Sequence, residues 1–201
     1  MRNVTRVAGA AAVFSFVLAS VAVAQGSGAA RRTATATQGT KTAAPGGGFG
    51  VGYTDIGPVI GLGGIGDAGL SIGGRFEHGF KPLPDLGDGV LGIQAGFDWY
   101  SYDLGVFGSI SYIPIGVTAN YHFKMDNAKF DPFLGLGLGY YIVSTPSCGT
   151  FGCGSYNSGI YFIGRAGARY FMNPNIALYA DAGTGAGALH LGAMFKLKGK
   201  N

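Results

Sequence analysis

Residues 109–123 read SISYIPIGVTANYHF. Ile113, Ile115, Val117, Ala119, Tyr121 and Phe123 share one parity, while Tyr112, Pro114, Gly116, Thr118, Asn120 and His122 share the other. A period of two is the signature of a β-strand. In a water-soluble sheet the apolar parity faces the core. In a membrane barrel it faces lipid, and the polar parity lines the interior. One strand is compatible with both, so the decision falls to the rest of the chain.

Seven further stretches behave as strands: Val59–Ile65, Leu70–His78, Val90–Tyr100, Phe133–Val143, Gly159–Met172, Asn175–Gly183 and Leu189–Leu197. Turn signals separate them, among them Gly66-Asp67-Ala68-Gly69, PLPDLGDG, MDNAKFDP, Asn173-Pro174-Asn175 and GTGAG. No apolar stripe of period 3.6 follows the N-terminal region, so the domain is expected to be all-β. Val59–Ile65, apolar or Gly on both sides, alternates least.

The second parity decides which face is which. It carries Arg75, Glu77, Gln94, Asp98, Thr118, Asn120, His122, Arg165, Arg169, Asp181, His190 and Lys196, set among many Gly. A solvated sheet face would be dense in Lys, Glu and Thr. This face is sparse, aromatic and Gly-rich with charges of both signs, which suits a narrow interior whose charges pair. The apolar parity is continuous over about five positions per strand, the height of a bilayer core crossed by tilted strands. The expected fold is therefore an all-β, closed, antiparallel up-and-down transmembrane barrel of eight strands. An even strand number puts both chain ends on the periplasmic side. MDNAKFDP and residues 172–175 then form periplasmic turns, and SYDLGVFGS and STPSCGTFGCGSYNS form external loops. EHGFKPLPDLGDG is long for a periplasmic turn.

Composition agrees. Charged residues are 12% of the 201, below the usual quarter, and there are 39 Gly. No Gly-X-Y period exists, which excludes collagen, and a disordered chain would not carry 14 Phe and 11 Tyr. At the N-terminus Arg2 and Arg6 precede an apolar run, Val7–Ala24, that ends in Ala22-Val23-Ala24. The run is long enough for a membrane anchor helix, but its Ala-rich composition and Ala-x-Ala end point to a secretory signal peptide over residues 1–24. Its removal leaves 12 Lys+Arg against 10 Asp+Glu, a net charge of +2 without a basic patch, which argues against nucleic acid. Residues 25–48 hold no large apolar side chain and read as a disordered linker. Residues 49–201 form the barrel domain, with residues 49–57 placed to plug or clasp one end.

Three segments carry a resemblance. FDPFLGLGLGYY, GRAGARYFMNPNIALYADAG and HLGAMFKL resemble the small eight-stranded outer-membrane barrels, the OmpA-, OmpX- and OmpW-like group. The resemblance runs over about Pro58–Leu197. It implies residence in the outer membrane, lipid as the surrounding partner, and a terminal strand, His190–Leu197, read by the barrel-assembly machinery. The chain departs from that group in continuing beyond the aromatic strand with Lys198-Gly199-Lys200-Asn201.

Little chemistry is expected. Some barrels of this size modify lipids with a Ser–His pair, but Ser109 and Ser111 lie at the opposite end of their strand from His122, and such a pair must be within hydrogen-bond reach. His122 and His190 are expected in an interior polar network, and His78, on the apolar parity, at the membrane interface. Cys148 and Cys153 are spaced C-x4-C without the further ligands a zinc site needs nearby; an oxidising envelope favours a disulfide. Runs such as GLGGIG lack the following helix of a phosphate loop. No cofactor is expected. The predicted interior charge network comprises Arg75, Glu77, Asp98, Arg165, Arg169, Asp181 and Lys196, with one cation in excess. The favoured function is a non-enzymatic, monomeric outer-membrane barrel with a structural or surface role and no wide pore. An OmpW-like conduit for small hydrophobic molecules and a lipid-modifying barrel enzyme are the alternatives.

Overall fold

The computed structural model describes residues 48–63, 69–103, 109–144 and 158–198. The proposed signal peptide, nearly all of the linker, and both cysteines lie outside them. Eight strands follow one another: β1 Thr54–Leu62, β2 Leu70–Leu83, β3 Gly89–Asp103, β4 Ser109–His122, β5 Phe130–Ser144, β6 Gly159–Asn173, β7 Ile176–Thr184 and β8 Leu189–Lys196. Each pairs antiparallel with the next, and β8 returns to β1, closing the barrel. The start of β1, the end of β8 and the 84–88, 123–129 and 174–175 turns share one end, hereafter the terminal end; the opposite end is the loop end.

Several boundaries differ from the sequence reading, three of them for reasons visible in the pairing. β1 begins five residues early, because Thr54–Pro58 pair with Gly74–His78 although they carry little apolar alternation. β5 likewise begins at Phe130, with Asp131 opposite Arg169. β2 runs on to Leu83 through a bulge between Gly79 and Lys81. The segment that looked long for a turn is thus mostly strand. Its turn proper is a short 3-10 stretch, Pro84–Leu86, closed by Gly87 and Asp88 in the left-handed region at φ 81° and 58°.

The outward parity is apolar and exposed over the whole perimeter: Leu136 is 74%, Ile160 76% and Phe162 80% exposed. A continuous apolar belt of this kind is what hydrocarbon contact requires, and a closed barrel leaves no unpaired strand edge within it. Opposite this belt, the inward parity holds the buried polar residues, so the alternation of SISYIPIGVTANYHF points Val117 to lipid and Thr118, Asn120 and His122 inward. His78 lies outward and exposed, its Nδ1 2.7 Å from the Thr54 hydroxyl. Residues 48–53 fold across the terminal end. Gly52 N donates to Gly79 O and Gly79 N to Tyr53 O, both at 2.8 Å, which prolongs the β1–β2 ladder. A side chain at Gly79 would collide with the Gly50 carbonyl.

Candidate functional site: the charged lumen

The interior divides into two clusters along the barrel axis. In the terminal half Arg169 of β6 is fully buried. Its guanidinium pairs with Glu77 of β2, with Asp55 Oδ2 of β1 at 3.2 Å and with Asp131 Oδ2 of β5 at 3.4 Å. Phe49, Phe133 and Tyr179 present ring faces to it, with centroids 4.9, 5.5 and 5.7 Å from Cζ. Glu77 also accepts from Gln94 of β3 and Asn120 of β4, each at 2.9 Å. Gly92 makes room for this: a Cβ there would meet Glu77, His122 and Phe49.

His122 sits between two carboxylates, with Nε2 2.8 Å from Glu77 Oε1 and Nδ1 3.0 Å from both oxygens of Asp131. Nδ1 is also 3.5 Å from Arg169 Nη1. Only the imidazolium has an N–H at both nitrogens, so the ring meets both carboxylates as a donor only in that form. Phe49 stacks on it, ring centroids 3.7 Å apart. Beside the cluster Val59, Phe133, Tyr179 and Met194 pack together as an apolar plug.

In the loop half Arg165 donates to Asp181 at 2.7 Å and Arg75 to Asp98 at 2.9 Å. Arg75 also donates to the Phe97 and Gly74 carbonyls, both at 3.0 Å. His190 joins the pairs: Nδ1 is 3.0 Å from Asp181 and 2.8 Å from Arg165, and Nε2 is 3.4 Å from Asp98. Between them lies a cavity of about 30 Å³ bordered by Arg75, Asp98, Thr118, Tyr161 and Arg165. Tyr179 connects the halves, bonding Asp181 above and approaching Gln94 at 3.4 Å below.

Of the seven residues assigned to the network from sequence, six are buried and in contact as above. Lys196 is not among them. It shares their parity, but β8 ends there, and its exposed ammonium lies 5.2 Å from the Tyr53 ring at the terminal mouth. Asp55 and Asp131 were missed. Three buried arginines therefore face five buried carboxylates among the described residues, an excess of anion where the sequence suggested an excess of cation. The signal for Asp131 was available: FDPF keeps the alternation that LGLGLGYY continues. Asp55 had none, since TDIGP shows no periodicity by itself.

As for chemistry, the groups at both His122 nitrogens are carboxylates, while Ser109 and Ser111 lie at the far end of β4. Around His122 the arrangement holds charge.

Neither a protein-family model nor a curated protein matches this chain. Solved structures do. The outer membrane protein OprG from Pseudomonas aeruginosa matches over 76% of this chain and 99% of its own at 13% identity and a TM-score of 0.51. Neisserial surface protein A, NspA, matches over 73% and 97% at 18% identity and a TM-score of 0.48. The N-terminal β-barrel domain of Pseudomonas aeruginosa OprF matches over 74% and 100% at 16% identity and 0.46. At such identities the likeness is one of fold, and of these three OprG alone overlaps enough to support it. With the lipid-facing belt, it places the chain in a class: the eight-stranded barrel of the outer-membrane type.

Proposed function

We propose that this chain is a small integral outer-membrane protein whose barrel is a closed, non-enzymatic scaffold with a structural or surface-interaction role. It inserts as a monomer through the barrel-assembly machinery after cleavage of residues 1–24, and it holds its longest loop with a Cys148–Cys153 disulfide. The observation that carries the closed reading is Arg169: a fully buried cation bound by carboxylates from three other strands and covered by three rings, which bars the lumen beyond the cavity of about 430 Å³ at the terminal mouth. A cavity of about 30 Å³ in the other half has room for a water and not for a solute.

The same barrier weighs against a conduit for small hydrophobic molecules, which needs an apolar passage. The carboxylates around His122 weigh against acyl transfer. Purified protein in planar bilayers tests the reading. No unitary conductance step of porin size is expected. Large, long-lived steps would overturn the closed scaffold, and release of fatty acid from bilayer phospholipid would overturn the non-enzymatic one.

A further inference from the structure

The described lysines and arginines are segregated without exception. Arg75, Arg165 and Arg169 are inside the barrel. Lys81, Lys124, Lys129, Lys196 and Lys198 are exposed, and all stand at the terminal end. Residues 63–69, 101–109, 144–158 and 184–188, which connect strands at the loop end, contain no Lys or Arg in their sequence.

Four of these lysines neighbour an exposed phenylalanine: Phe80-Lys81, Phe123-Lys124, Lys129-Phe130 and Phe195-Lys196. β2, β4 and β8 run toward the terminal end, and there the order is Phe then Lys. β5 runs away from it, and there the order is reversed. The four rings are exposed on the belt side, and each lysine lies one residue nearer the terminal mouth: Lys81 near the end of β2, Lys124 and Lys129 in the turn between β4 and β5, and Lys196 at the end of β8, its ammonium over the Tyr53 ring. The bulge at Phe80 contributes, since it brings Lys81 opposite Leu91. Aromatic rings settle at the boundary of hydrocarbon and headgroups, and a lysine stem extends past that boundary into the headgroups. A hydrated ammonium suits an exposed phosphate contact, whereas the arginine fork suits the buried pairs within. Lys124 lies 3.1 Å from Asp88, and Asp126 shares the turn of Lys124 and Lys129; five exposed lysines face three exposed aspartates, Asp85, Asp88 and Asp126, at this end among the described residues.

We propose that this rim is an interaction surface for the phosphodiester headgroups of anionic glycerophospholipids in the leaflet at the terminal end, and that the loop-end rim has no such preference. The inference rests on the membrane reading above. Trp99, the sole tryptophan, is exposed on the lipid side of β3 toward the loop end and reports that rim; the F123W/W99F variant carries its single indole at the other. Both proteins are reconstituted in phosphatidylcholine vesicles containing a minority of phosphatidylglycerol, with bromine on the chains of one lipid or the other.

Brominated phosphatidylglycerol is expected to quench the variant's indole at position 123 several-fold more than its mole fraction predicts, and Trp99 of the native chain in proportion to it. The excess should vanish when K81Q, K124Q, K129Q and K196Q are added and shrink in molar salt. Free glycerophosphate at vesicle-equivalent concentration should not remove it, which separates the lipid from a soluble phosphate. Equal quenching by both lipids at position 123, or an excess that survives the four substitutions in a protein still showing heat-modifiable migration, overturns the inference and leaves the membrane reading intact. Quenching at neither position overturns both.

Discussion

The two halves of the lumen solve one problem differently. Near the terminal end a single arginine serves Glu77, Asp55 and Asp131, with His122 between Glu77 and Asp131. Near the loop end two arginines serve two carboxylates, with His190 between the pairs. The first cluster is faced by the rings of Phe49, Phe133 and Tyr179 and borders a cavity of about 430 Å³ at the terminal mouth through Phe49, His122 and Asp131; the second borders one of about 30 Å³. The terminal cluster has more anion than arginine, and carboxylates from three strands converge on its one guanidinium, so a single loss strands several charges at once. A balanced cluster shares each loss among neighbours. The terminal half is therefore the brittle half.

Arg169→Met should show the largest effect. Three buried carboxylates would share one histidine, and removing one partner of a buried pair costs about 3–5 kcal/mol. Loss of heat-modifiable migration, or a collapse of the urea midpoint in detergent, is expected. A midpoint near that of the native chain would mean that water reaches the cluster.

Asp181→Asn in the loop half should cost less, about 3 kcal/mol, because Arg165 keeps His190 as an acceptor and Asp98 lies close by. Arg165→Met combined with Asp181→Leu should regain part of that loss in the same unfolding assay. A double variant no better than the single would show that the two residues are uncoupled.

Phe49→Ala sharpens the contrast at the terminal mouth. The ring stacks on His122 at the end of a strap that can settle into the space, so about 2 kcal/mol is expected, below the value for a core phenylalanine. Amide exchange at Gly92 and Asn120 should accelerate while exchange at Gly96 and Asp98 stays unchanged. Uniform acceleration would erase the distinction between the halves.

The smallest effect belongs to Cys148→Ser with Cys153→Ser. Both positions lie outside the described residues, between β5 and β6 in sequence. Their short closed loop is outside the sheet, so the barrel midpoint should not move. Thiols of native protein should resist alkylation until reduced; labelling without reductant would refute the disulfide.

Strand number, up-and-down order and the assignment of faces were legible in the sequence because they follow from a period of two, and each strand states its own period. SISYIPIGVTANYHF shows its polar parity without help from any neighbour. The height of a residue along the barrel is not local. It depends on register between strands, and three outcomes turned on it. Asp55 and Asp131 enter the lumen because Thr54–Pro58 and Phe130–Pro132 find partners on β2 and β6. Lys196 leaves it because β8 stops at that residue. Phe49 reaches His122 because the strap extends the β1–β2 ladder past the end of β1. The sequence by itself determined which residues face inward. Only the tertiary structure decided which of those charges share a layer, and with that the sign of the interior excess, because interaction between charges depends on distance across strands that sequence separation does not measure.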